Sequence, residues 1–97
     1  MDFGIKYEDV DGAIRQFRSG IQRLEDTVKV LKNDISQFNG GGFQGQSGDK
    51  MTDLIERKIG HLNQLIHTYE RAIQMLEQAK QKAQEADEEL HKRVSAI

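Results

Sequence analysis

Apolar residues recur along this chain at spacings of three and four, in two runs separated by a single glycine-rich break. In the first run Val10, Ile14, Phe17, Ile21, Leu24, Val28, Leu31, Ile35 and Phe38 follow one another without a miss. In the second, Ile55, Leu62, Tyr69, Leu76, Ala83, Leu90 and Ile97 return every seventh residue. A seven-residue period keeps one apolar stripe facing a partner helix over its whole length, so both runs predict coiled-coil-like helices. The break, Asn39-Gly40-Gly41-Gly42-Phe43-Gln44-Gly45-Gln46-Ser47-Gly48, supplies a left-handed cap and a bend. The chain is thus expected to be all-α, a two-helix antiparallel hairpin forming a single domain over 1–97. Helix 1 is expected over about 7–38, the glycine-rich turn over 39–48 and helix 2 over about 49–94. Glu8, Asp9 and Asp11 place negative charge in the first turns of helix 1, and Asp49 or Ser47 suits the N-cap of helix 2.

The two helices are unequal. The seam between them is expected to join Ile14, Phe17, Ile21, Leu24, Val28, Leu31, Ile35 and Phe38 to Ile55, Leu62, Leu65, Tyr69 and Leu76. Folding back at the glycines brings Phe38 near Met51, Leu24 near Ile66, and Val10 near Leu76 or Ala79. Helix 1 is then exhausted, and roughly 15 to 18 residues of helix 2 project beyond it, about 25 Å by helix rise. Ala79, Ala83, Ala86, Leu90, Val94 and Ile97 form the stripe of this overhang and are candidates for binding a partner. Gly12 and Gly20 lie on nearly the same side of helix 1, where a partner backbone would come close, and join that candidate set.

Composition narrows the function towards binding. The 97 residues are 36% hydrophobic and 31% charged, which suits helices with one buried stripe and otherwise solvated faces. A net charge of −2, with basic and acidic residues interleaved, argues against nucleic acid as a partner. There is no Cys, hence no disulfide framework and no thiolate metal site. The N-terminal residues lack a basic segment followed by a long apolar one, so a cleavable signal peptide is not expected, and no run is apolar enough for membrane insertion.

Catalytic chemistry finds no footing. His61, His67 and His91 are not spaced to put two imidazoles on one helix face, so no metal is expected. The acidic cluster at Glu85, Asp87, Glu88 and Glu89 has no pocket to tune it for acid–base work. The glycine break lacks the Gly-Lys-Ser/Thr ending of a phosphate loop. An enzyme is not expected, nor is a cofactor.

Phe43-Gln44-Gly45 places a large aromatic in the bend, where it can fold over the open end of the helix pair. With about 100 residues, no Cys and two amphipathic helices, this aromatic-X-Gly turn resembles the Trp-X-Gly superfamily of small helical hairpins that travel through type VII secretion systems. Phe43 stands where that family has tryptophan. The N-terminal stretch Ile5-Lys6-Tyr7-Glu8-Asp9-Val10-Asp11 is most similar to the helical proteins encoded beside LXG-domain toxins in Firmicutes. This resemblance implies a targeting or chaperone partner that binds the helical N-terminal domain of a larger secreted toxin, with room for a second small helical partner. It also implies a cytoplasmic protein that can leave through the type VII system. The superfamily's export signal, an aromatic followed by an acid, usually follows helix 2, where this chain has no aromatic beyond Tyr69. Tyr7 and Asp11 are the candidate for it here. The alternative is a self-assembling homodimer or a structural subunit of a secretion apparatus, because β-branched residues alternating with Leu in helix 1 also suit a parallel dimer.

Overall fold

The computed structural model describes residues 6–38 and 46–97. Helix α1 runs Tyr7–Gln37 (31 residues) and helix α2 runs Gln46–Ser95 (50 residues), giving an antiparallel hairpin 79 Å long and 16 × 15 Å across. Lys6 is extended before α1, and its carbonyl accepts from the Asp9 and Val10 N–H groups at 3.0 and 3.2 Å. The acids Glu8 and Asp9 in the first turn of α1, and the bases Lys92 and Arg93 in the last turn of α2, both complement the helix dipoles. α2 begins at Gln46, earlier than expected, so Asp49 sits inside its first turn rather than at the cap. Phe43 and Gly45, with the rest of 39–45, fall outside the described residues.

Writing each heptad so that positions a and d face the other helix, a is Ile14, Ile21, Val28 and Ile35 in α1, with d at Val10, Phe17, Leu24, Leu31 and Phe38. All nine are buried or half-buried. In α2 the a column is Thr52, Ile59, Ile66, Ile73, Lys80 and Asp87, and d is Ile55, Leu62, Tyr69, Leu76 and Ala83, all again buried or half-buried. The deepest side chains are Ile14, Val28 and Ile73, at 9%, 7% and 7% exposure. Leu65 departs from the expected seam. It is 39% exposed, and its neighbour Ile66 occupies the inner position. The reason lies in the pattern itself: Leu62, Leu65, Tyr69, Ala72 and Leu76 alternate as regularly as Leu62, Ile66, Tyr69, Ile73 and Leu76. The bulkier a column, rich in Ile, fills the space against α1, leaving the smaller Leu65–Ala72 column on its flank.

Candidate protein-interaction surfaces

Helix 1 reaches farther along α2 than the sequence alone suggested. The Tyr7 hydroxyl donates to the Asp87 carboxylate, and the Lys80 ammonium donates to Asp11 at 2.8 Å. These contacts hold the first turns of α1 against α2 and close the seam with polar groups, because Lys80 and Asp87 continue the a column where Ile has run out. Ala83 is therefore half-buried within the hairpin and is not part of an overhang. Only residues 88–97 project, every one of them exposed, with Leu90, Val94 and Ile97 extending the seam into solvent. That projection contains about 12 Å of helix, ending at Ser95, and is shorter than the 25 Å expected.

Tyr7 and Asp11 are thus both engaged with α2. The hydrogen bond to Asp87 raises the Tyr7 phenol pKa to about 12, helped by desolvation and by the negative charges of Asp87 and Glu88. The phenol is neutral at physiological pH and held by a carboxylate acceptor.

Gly20 also takes a different place. A Cβ there would lie 2.9 Å from Tyr69 Cε2 and 3.3 Å from Cδ2, so the glycine makes room for a ring inside the hairpin. Tyr69 in turn meets Phe17 edge-on, with centroids 5.2 Å apart and planes at 76°. The sequence signal was present, since Gly20 stands one residue from the seam position Ile21, but nothing in it named the aromatic across the seam. At Gly12 an added Cβ would meet only Arg15 Nη2 at 3.8 Å, so that face is open. Ala79 and Ala86 are exposed on the same flank as Leu65.

The two sides of the hairpin carry different groups. On one side Arg18 bridges Glu77 at 3.0 Å and His67 stands 3.4 Å from Glu70, over a shallow groove floored by Ile21 and Ile73. Both residues of the Arg18–Glu77 pair are more than half exposed, so this contact steers alignment more than it stabilises. Among the described residues no cluster of His, Asp or Glu is arranged to hold a metal ion, and no helix is long and apolar enough to cross a membrane.

Residues 2–88 match the model of the family described as "Proteins of 100 residues with WXG" (WXG100). The chain belongs to that family. No curated protein and no solved structure matches it. WXG100 proteins are small helical proteins associated with type VII secretion, non-enzymatic, and given to forming helical dimers and to binding other proteins. The match ends at Glu88, one residue past the contact of Asp87 with Tyr7, so residues 89–97 of the projection lie outside the shared pattern. For this WXG100 protein the places to look for function are surfaces rather than a pocket.

Proposed function

We propose that this WXG100 protein is a targeting partner for an LXG-type toxin, binding the toxin's helical N-terminal domain and presenting the complex to the type VII machinery. The observation that carries the reading is the unpartnered end of α2. Leu90, Val94 and Ile97 continue the seam past the last residue that α1 covers, and all three are exposed. An isolated helical end of about eight residues is marginal in water, so its apolar stripe is best stabilised by another chain. A helical toxin domain packed alongside supplies that cover. Tyr7 and Asp11, held at the same end of the hairpin, are the candidate export signal that the complex would show to the machinery.

Co-expression with the helical N-terminal domain of an LXG-type toxin tests the proposal. Stable co-purification is the expected result, and failure to co-purify when both proteins are soluble refutes it. Self-assembly is the competing reading. The α1 seam is occupied by α2 within each chain, so a parallel dimer through that seam would require the hairpin to open. Light scattering on the protein alone separates the two, a stable dimer or polymer favouring self-assembly.

A further inference from the structure

Helix α2 carries two apolar seams that share one column, and the hairpin uses only one of them. The d column serves both. On one side of it lies the a column buried against α1, and on the other lies the g column, which includes Met51, Leu65, Ala72, Ala79 and Ala86. Five exposed large hydrophobics of the hairpin body, Val30, Met51, Leu54, Leu65 and Met75, all fall at positions g or c, with Met75 70% and Leu54 59% exposed. None falls at b, e or f. The Arg18–Glu77 bridge joins e to e, while Gly20, a g residue, packs against Tyr69. The e edges of the two helices therefore meet on one side of the hairpin and the g edges on the other. Val30 of α1 and the four residues of α2 consequently share one flank.

Charge is divided along the same line. The b and e positions of α2 carry Asp49, Asp53, Glu56, Glu70, Glu77 and Glu88 and no Lys or Arg. Its g and c positions carry Lys58, Lys82 and Arg93, with the single acid Glu89 bonded to Arg93 at 2.9 Å. Lys58 and Lys82 make no ion pair among the described residues of the hairpin. On α1 the same flank is balanced, Lys6 and Arg23 against Asp9 and Asp34.

We infer that the Leu54–Leu65–Met75 flank is a second helix-docking seam, built for an amphipathic α-helix of another protein whose apolar stripe is rimmed by Asp and Glu. A second copy of this chain does not fit that description. Its apolar flank brings Lys58 and Lys82 against Lys58 and Lys82, and its acidic side carries no exposed large hydrophobic to bury. A heterologous helix offers both features together. The inference extends the targeting role proposed above by assigning it a face, distinct from the projecting end of α2, but the seam's chemistry stands without that role.

The test uses the full chain and two synthetic amphipathic helices of several heptads, with identical Leu/Ala seams and either Glu or Lys at the flanking positions. The wild-type protein is expected to bind the Glu-rimmed helix at least about tenfold more tightly than the Lys-rimmed one. Combining Met75→Glu with Leu54→Glu should weaken binding by at least about tenfold, while Gln74→Glu, the same charge on the opposite side, leaves it unchanged. Both sites are exposed, and unchanged thermal melts confirm that the fold persists. Equal binding of the two helices, no binding, or a homodimer abolished by the double substitution overturns the inference. So does retention on anionic phosphatidylserine vesicles that the double substitution abolishes, which would make the flank a lipid surface. A photo-crosslinker at Met75 or Gln74, with the LXG-type domain co-expressed, separates this inference from the targeting role. Co-purification with crosslinks from Gln74 alone sinks the seam and spares the role. Helix binding at the flank without co-purification spares the seam and sinks the role.

Discussion

Among the glycines within the helices, replacing Gly12, Gly20 and Gly60 with Ala should not have the same effect. In an exposed helix Gly→Ala stabilises by about 1 kcal/mol, because alanine loses less backbone entropy on folding. At Gly60 an added Cβ meets nothing within 4 Å, so the full gain is expected. Gly12→Ala should behave similarly, the nearest atom being the tip of the Arg15 side chain. At Gly20 the Cβ would sit 2.9 Å from Tyr69 Cε2, whereas carbon atoms settle at about 3.5–4.0 Å, so the ring must retreat by roughly 0.6 Å or more. The ring is not a free end: it packs edge-on to Phe17, a contact worth about 0.5–1.5 kcal/mol. Overpacking of this kind costs about 1–3 kcal/mol, which equals or exceeds the helical gain. Gly20→Ala should therefore be neutral to destabilising and melt below Gly60→Ala by roughly 4–8 °C per kcal/mol of difference. Circular-dichroism melts measure it. In a Tyr69→Leu background, where the ring is gone, Gly20→Ala should become stabilising. Equal gains for all three substitutions in the wild-type chain, or no change of sign on removing Tyr69, would refute the Gly20–Tyr69 contact.

The seam register makes a second pair of expectations: Ile66→Ala should destabilise by about 2 kcal/mol, and Leu65→Ala by less than about 1 kcal/mol, in chemical denaturation. The reverse order would place the α2 seam in the other column. At the polar end, the folded-state pKa of Tyr7 is raised from 10.0 to about 12, so the stability its hydrogen bond contributes is complete below pH 10 and lost as the pH rises through 12. In a Tyr69→Phe chain the phenolate absorbance should report this late titration, and Asp87→Asn should move it back down. A titration that Asp87→Asn leaves unmoved would disprove the contact. Finally, Ala83→Arg should lower the melting temperature of the isolated protein, since Ala83 lies within the covered seam. Leu90→Asp should leave the melt unchanged and weaken binding to the co-expressed LXG-type domain. Wild-type melting for Ala83→Arg would mean that α1 stops short of it.

The hairpin was legible in the sequence because its evidence is redundant. Nine apolar positions in α1 keep one phase without a miss, and a helix of that phase presents only one stripe. Nothing comparable exists for α2. There the d column combines equally well with a or with g, and periodicity cannot choose between two columns that both keep the heptad. The a column was further obscured because its last members are Lys80 and Asp87. In the structure Lys80 and Asp87 complete the seam by bonding to Asp11 and Tyr7. The expected overhang was too long because folding back paired Val10 with Leu76 or Ala79, whereas Asp11 meets Lys80 and Tyr7 reaches Asp87. Gly20 was misplaced by a related gap, since a heptad count says which residues face inward but not how far a ring such as Tyr69 reaches across.

The same ambiguity that hid the register underlies the proposed second seam. A helix whose only task was to cover α1 would need one seam, and its other columns would be free to be polar, as b and e are. Keeping Leu65, Met75, Ala79 and Ala86 exposed beside that seam costs solubility and contributes nothing to the hairpin. The hairpin itself is lean, since Ile14, Val28 and Ile73 alone among its described apolar side chains are buried. A helix docked on the second seam would convert α2 from an edge of a pair into the centre of a bundle, burying its d column from both sides. Binding energy spent on the folded form alone also raises its stability, by about 2.7 kcal/mol at a partner concentration one hundred times Kd. Recognition and completion of the core would then be one event. A thin core is thus no defect in such a chain: it leaves on the surface the apolar area that a partner must cover.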